Sequence, residues 1–548
     1  MKIKGYNLVG RALREQGFDT GFYLMGSPLL QAEGSCIGAG IRMIDVRHEQ
    51  AAAMMAQAYA RVTARPGLCM AASGPGVANF GTGLANALVD CAPVVALGGA
   101  SAVGQYMSGS FQEIDQVAMM RPVTKWSERC YDTARIPEYI ALAVKTSLAG
   151  KPGPVYLDLP GDVLFREVEE EEVHWPAPAG AHQSFPAEAP EQAVDQIVDL
   201  LKSAKRPLMI SGSGVIWSRA ADTLSRVVEV CGIPFYTTPQ GRGVAPEDGP
   251  LSFPTSRSHA FRNADLVIVA GTRLNYMFGY GKPPRFAPEA RFVRIDIDPG
   301  ELQLGRQADV SVTADVGRVL RQVLLRVEQG FDNSRYANWR EQLRAHEAER
   351  IGKLMEPTFS AAVPIHPARL CREVRDFMDR DAVLAVDGQE ILAFGRQVIP
   401  TYVAGHRLNS GPFGTMGVGL PFGLGAKAAK PDTQVVVLHG DGSFGFNAME
   451  LDTAVRHKLG VVVVISLNGG WAADPERKKP GRDLGYTRYD LMAETLGCHG
   501  EFVERPDEIR PALARAAQAA RDGRPAVVNV VTDWRINAKT GDFTPFVT

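Results

Sequence analysis

Gly440-Asp441-Gly442 and Asn468, with 25 residues between Gly442 and Asn468, have the types and spacing to hold a divalent cation and a phosphate. Asp441 is a hard oxygen ligand suited to Mg²⁺, and Asn468 offers a second oxygen. The Gly470 carbonyl offers a third, which leaves positions for diphosphate oxygens and water. Glycines at a strand end let backbone N–H groups approach a phosphate, and the positive end of a following helix adds to the attraction. Gly442 and Ser443 belong to that turn. A lone G-D-G is usually only a tight turn, so the weight lies on its pairing with Asn468.

The elements that must position these residues follow from the apolar runs. The stretch 434–439 reads as a buried strand leading into the turn, 448–458 as a helix, and 461–467 as a second strand ending at Asn468. A second candidate lies far upstream. A strand over 41–46 runs into Asp45-Val46-Arg47-His48-Glu49-Gln50 and a small-residue helix reaching about residue 61. An acidic residue there is most simply a helix N-terminal charge stabilised by the dipole. Ser73-Gly74-Pro75-Gly76, with Asn79 downstream, follows a strand over 67–72 and alone reads as a plain strand-to-helix turn.

Strand–helix alternation continues along all 548 residues. Runs at 94–98 and 155–159, at 207–211, 266–270 and 292–297, and at 382–386 and 526–531 complete the pattern. This alternation predicts an α/β fold of three doubly wound parallel-sheet domains in series. A Pro/Ala/Gly-rich stretch at 173–190 and a proline-rich one at 354–367 place the boundaries, giving domains over 1–172, 190–335 and 360–548. Ligands in such sheets bind beyond the C-terminal strand ends, where the motifs fall.

The net charge of −2 predicts no nucleic acid partner and no attraction to an anionic membrane. The seven cysteines are scattered, odd in number and without a C-x-x-C pair, which fits reduced thiols in a cytoplasmic protein. The N-terminus has no apolar signal core, and no apolar run is long enough to span a bilayer.

The G-D-G and Asn468 spacing resembles the thiamine diphosphate enzymes, whose pattern ends in a pair of asparagines. Here Leu467 stands in place of the first Asn, and Asn468 matches the metal-binding second. The resemblance implies thiamine diphosphate and Mg²⁺ as cofactors and makes Glu49 the carboxyl that hydrogen-bonds N1′ of the aminopyrimidine. It brings Ser73 and Asn79 to the pyrimidine edge and Gly388 and Gln389 to the diphosphate. It also makes the backbone of Gly414 and Met416 a pyrimidine contact, with the Met416 side chain wedged between the two rings. Glu49 and the metal motif sit in different domains, which in this family implies a homodimer or homotetramer with the site at the subunit interface.

Within that family, Phe111-Gln112 and the segment 271–286 resemble 2-hydroxyacyl-CoA lyases, near oxalyl-CoA decarboxylases and acetolactate synthases. The implied reaction is cleavage of a 2-hydroxyacyl-CoA to formyl-CoA and an aldehyde or ketone. Gln112 would meet a substrate oxygen, and Phe111 would shape the acyl pocket. The middle domain of relatives holds FAD, ADP or nothing, so Arg273 and Asn275 are candidate contacts for ADP or the CoA nucleotide. The C-terminal tail 533–548, which forms a lid in CoA-handling relatives, carries Arg535 as a third candidate contact for the nucleotide or CoA, and Asp474 or Glu476 is a candidate proton donor. The rival readings are an oxalyl-CoA decarboxylase, an acetolactate synthase-like enzyme, and a non-catalytic nucleotide-binding regulator.

Overall fold

The computed structural model describes residues 1–178, 186–471, 476, 478, 479 and 482–538. Three parallel sheets carry the chain. The first has six strands in the order Arg42–Asp45, Thr20–Leu24, Gly67–Ala71, Val94–Ala100, Val155–Pro160, Trp126–Arg129. The second has five, ordered Phe235–Thr237, Pro207–Ser211, Leu266–Ala270, Arg291–Asp296, Val310–Thr313. The third has six, ordered Arg407–Leu408, Val383–Asp387, Val435–Gly440, Val462–Leu467, Ala526–Val531, His499–Val503.

The alternation along the strands explains the layering. Val435 and Val437 enter one apolar core, while Val436 and Leu438 enter another on the opposite face. In the first sheet Leu68 and Met70 face one core, and Cys69 and Ala71 face the other. One of these cores is shared: residues of the first sheet and of the third, such as Ala96 and Val437, belong to a single cluster.

That shared core rests on two helices, Glu49–Thr63 and Gly419–Ala429. The first is alanine-rich and buried along nearly its whole length. At Gly425 an added Cβ would lie 2.3 Å from the Met55 carbonyl oxygen, so the two helices cross with backbone nearly touching backbone. The close crossing fixes the helix bearing Glu49 against the domain bearing Asp441.

The expected inner strands are all present, but several others were not expected. Trp126–Arg129, His499–Val503 and Arg407–Leu408 lie at sheet edges, and Thr20–Leu24 lies one strand in. The first two mix charged and apolar residues because an edge strand is partly solvated, so no apolar run announces them. The helix expected over 448–458 is Glu450–Arg456, preceded by a one-turn helix, Asp441–Phe444, inside the motif itself. Among the described residues, no helix is long and apolar enough to cross a membrane.

Candidate active site

Asp441 and Asn468 follow adjacent parallel strands in register, Gly440 opposite Ser466. The buried Asp441 carboxylate accepts from the Gly442 N–H at 2.8 Å and the Gly469 N–H at 2.7 Å. Asn468 Oδ1 lies 3.2 Å from the Gly470 nitrogen. Burial pushes the Asp441 carboxyl up to about 6, against the pull of those backbone donors. Gly470 is sterically required, since a Cβ there would sit 2.0 Å from the Arg482 carbonyl oxygen. The Ser443 hydroxyl donates to the Gly440 carbonyl at 3.0 Å, so it braces the turn from within.

The neighbouring strand end adds a second staple. Asp387 is buried and accepts from the Gly419 N–H at 2.9 Å, and burial raises its carboxyl to about 6. It ties the turn at Gly388, whose φ is +116°, to the loop carrying Met416. Gln389 lies exposed at the head of the helix Glu390–Val398. Gly414 and Gly417 both have positive φ, and a Cβ on Gly417 would meet Phe446 at 2.6 Å. Met416 between them is 37% exposed, presented and not buried in the core. Asp387 directly precedes the Gly388-Gln389 pair picked out from the sequence, but its bonding to Gly419 crosses 32 positions and leaves no local signal.

In the N-terminal half-site, Glu49 is the first residue of its helix and is buried. Asn79 Nδ2 donates to Glu49 Oε2 at 2.9 Å. Gly76 lies close by: a Cβ on it would be 3.3 Å from Glu49 Oε1. The Ser73 hydroxyl donates to Gln112 Oε1 at 2.8 Å. Phe111 is 83% exposed. The structure thus brings Glu49, Asn79, Ser73 and Gln112 together in one domain, and Asp441, Asn468, Gly470, Gly388 and Met416 together in another. Among the described residues, no hydrogen bond joins Glu49, Asn79, Ser73 or Gln112 to the second group.

Beside the Arg456–Asp45 and His457–Asp45 pairs, one buried link between the domains reaches the chain next to Glu49: Glu450. It is buried and accepts from the backbone N–H groups of Arg47 and His48, both at 3.1 Å, just before Glu49. Burial pushes its carboxyl up to about 7.

Two cavities lie elsewhere, and none of these groups lines either of them. One, of about 360 Å³, lies at the carboxyl ends of the middle-domain strands and is lined by Ser213, Trp217, Arg273, Asn275 and Asp296. Arg273 also donates to the Val89 carbonyl at 2.5 Å, and Asn275 caps the Met277 N–H at 3.1 Å. The other, of about 520 Å³, is lined by Arg242, Arg257, Arg350, Lys353 and Arg396. Glu247 and Glu349 line it too, paired with Arg242 and Lys353, but among the described residues Arg257, Arg350 and Arg396 have no carboxylate partner. Burial, with Arg285 and Arg396 nearby, lowers the Arg257 guanidinium to about 10. Sequence reading missed this set because its members come from three separate segments.

Arg535, itself exposed, pairs with the buried Asp533 at 2.8 Å and lines neither cavity. Glu390 accepts from the Ala538 N–H at 2.5 Å, at the last described residue of the chain. Glu476 is exposed beside Lys478, while Asp474 and the tail beyond residue 538 lie outside the described residues.

Fold and turn define the class: a multidomain α/β protein with a glycine-lined, oxygen-rich turn at the carboxyl edge of its last sheet. Residues 3–119 match the thiamine pyrophosphate enzyme N-terminal TPP binding domain, 194–323 the central domain, and 392–530 the C-terminal TPP binding domain. The chain is 32% identical to a 2-hydroxyacyl-CoA lyase of Oryza sativa subsp. japonica, over 99% of this chain and 97% of that protein. It is 32% identical to an oxalyl-CoA decarboxylase of Escherichia coli (strain K12), over 98% and 97%. It is 34% identical to a probable acetolactate synthase of Mycobacterium bovis, over 96% and 95%. The chain belongs to the thiamine pyrophosphate enzyme family, and its two TPP binding domains support thiamine diphosphate as its cofactor. Within the family it falls in the group of those three relatives, whose near-equal identities do not separate their reactions.

Proposed function

We propose that this enzyme cleaves the C1–C2 bond of a 2-hydroxyacyl-CoA, releasing formyl-CoA and an aldehyde or ketone. The observation that carries the reading is the cavity of about 520 Å³, where Arg257, Arg350 and Arg396 converge without carboxylate partners. Unneutralised guanidinium groups fit a polyanion bearing phosphates. The helix Glu390–Val398 starts beside Gly388 and brings Arg396 to the cavity, about 10 Å along its axis. A substrate anchored there must carry its reactive carbon on a long arm, as an acyl-CoA thioester does. A small 2-oxo acid needs no such distant anchor.

The residues present fit the cofactor. Asp441, Asn468 and the Gly470 carbonyl form an oxygen donor set suited to Mg²⁺ and a diphosphate. Among the described residues no cluster of three or more His, Cys, Asp or Glu competes as a metal site. Glu49, oriented by Asn79, would hold the aminopyrimidine, and Met416 would keep the two rings bent. Bound thiamine diphosphate supplies the electron sink for the breaking bond. Gln112 would meet a substrate oxygen, and Phe111 would cover the acyl group.

We also assign the site to a dimer or larger assembly. The exposed apolar side chains Phe111 and Met107 on one half-site, and Phe413, Met416, Phe446 and Met449 on the other, support that arrangement. The cavity of about 360 Å³, with its glycine-rich strand ends, Arg273 and the Trp217 indole N–H, which has no partner among the described residues, is read as a place for ADP.

Formyl-CoA release from a 2-hydroxyacyl-CoA, assayed beside CO₂ release from pyruvate and oxalyl-CoA, tests the reaction. CO₂ from the latter two with no formyl-CoA from the first would overturn it. Arg396→Ala should raise KM for the CoA ester about tenfold, with kcat little changed. An unchanged KM would remove the cavity from the argument.

A further inference from the structure

The segment 101–115 carries Gln112 and joins the strand Val94–Ala100 to the helix Gln116–Met120. Gln116 is buried, and its amide is fully engaged. Its Oε1 accepts from the Gly74 N–H at 2.5 Å. Its Nε2 donates to the Gly99 carbonyl at 2.9 Å, to Asp158 Oδ1 at 2.7 Å and toward the Tyr156 hydroxyl at 3.0 Å. Arg129 Nε donates to the other Asp158 oxygen at 2.9 Å, so a buried ion pair stands behind the amide.

Gly74 is the joint between this network and Gln112. Its φ is +62°, and a Cβ on it would lie 2.5 Å from the Gln112 carbonyl oxygen. The backbone of Gln112 therefore rests on the turn that Gln116 clamps. Gln112 itself has φ 59°, a left-handed conformation sparsely populated by non-glycine residues and held only where surroundings enforce it. Glu113 helps from the other side, accepting from the Ser110 N–H at 2.9 Å. With Oε1 of Gln112 taken by the Ser73 hydroxyl, its amide nitrogen has no partner among the described residues.

We propose that Gln116 is a positioning residue: by clamping Gly74 it holds Gln112 so that the Gln112 amide nitrogen donates to the substrate oxygen that gains negative charge. This rests on the reaction read above, with the thioester carbonyl oxygen, on the carbon that parts from C2, taken as that acceptor. Gln112→Glu keeps the shape and the acceptor but loses the donor, and kcat should fall about 100-fold. Gln116 touches no substrate, so its effect must run through Gln112.

Two measurements test the device. In the cofactor-loaded enzyme, hydrogen exchange of the 101–115 backbone should speed up about tenfold or more in Gln116→Leu. This needs no substrate, and unchanged exchange overturns the clamp whatever the enzyme acts on. In a double-mutant cycle, Gln116→Leu should lower kcat for formyl-CoA release about tenfold in the wild type and almost not at all in Gln112→Ala. Equal losses in both backgrounds overturn the positioning role. A wild type that releases no formyl-CoA overturns the reaction instead, and the exchange result then decides the clamp alone. Gln116→Glu, which retains the acceptor for Gly74, covers the case in which the leucine variant fails to fold. It should also speed exchange, since its second oxygen faces Asp158, and unchanged exchange in it counts against the clamp.

Discussion

In the C-terminal half-site two buried carboxylates, Asp387 and Asp441, are met by backbone N–H groups of glycines. In the N-terminal half-site the bonds run between side chains: Asn79 to Glu49, and Ser73 to Gln112. Backbone donors at strand ends are set by the sheet and move only if the sheet moves. Side-chain amides have rotamers to choose among and need a further layer to fix them, which Gln116, Asp158 and Arg129 provide. The first construction suits a site that must hold a rigid, highly charged group. The second suits one that must tune and orient a reacting group.

The sharpest way to break this comparison is to remove a backbone-held ligand. Asp441→Ala should cost at least about 100-fold in Mg²⁺-dependent thiamine diphosphate affinity, measured by titration calorimetry, and activity should go with it. Retained affinity would mean that the C-terminal half-site is not the anchor. Glu49→Gln should separate orientation from holding: turnover falls about 100- to 10,000-fold while cofactor affinity stays within a few-fold. If affinity collapses as well, the two half-sites do not divide the work in this way.

The smallest effect is expected at Glu450, which joins the two. Its carboxyl is raised from 4.5 to about 7 in the folded chain. An acid raised on folding favours the folded state while protonated, so its contribution is lost as pH rises through that window. Glu450→Gln should therefore flatten the fall in Tm between about pH 4.5 and 7. An unaltered slope in thermal melts would show that the carboxyl is not protonated in the folded state.

The inner strands were legible because a strand buried on both faces must be apolar throughout, as 461–467 is. The Asp441 turn was legible because its oxygen ligands stand at a recognisable spacing, and because glycines follow Asn468 where Gly469 takes a φ of +75° and a Cβ on Gly470 would sit 2.0 Å from the Arg482 carbonyl oxygen. The edge strand Trp126–Arg129 was not, since solvent accepts its polar residues. Nor were Gln116, Glu450 or the guanidinium cavity: Gln116 reaches Gly74 across 42 positions, Glu450 reaches Arg47 across 403, and the cavity draws on separate segments. Such contacts have no period and no local composition. Glu49 was placed as a helix N-terminal residue from sequence, but its partner Asn79 became visible only through the fold.

The crossing of Met55 and Gly425 has a consequence for how the chain is made. The helix Glu49–Thr63 emerges from the ribosome early, yet the helix it must touch arrives about 370 residues later. At ordinary elongation rates that is a wait of roughly 20 to 70 s. Over that interval the face of this alanine- and methionine-lined helix that packs on Gly419–Ala429 has no cover from its own chain, while its other faces rest on the strands Thr20–Leu24 and Gly67–Ala71. The first domain to be synthesised is thus among the last to be finished, and a chaperone that shields this face during translation should raise the yield of active enzyme more than one acting after release.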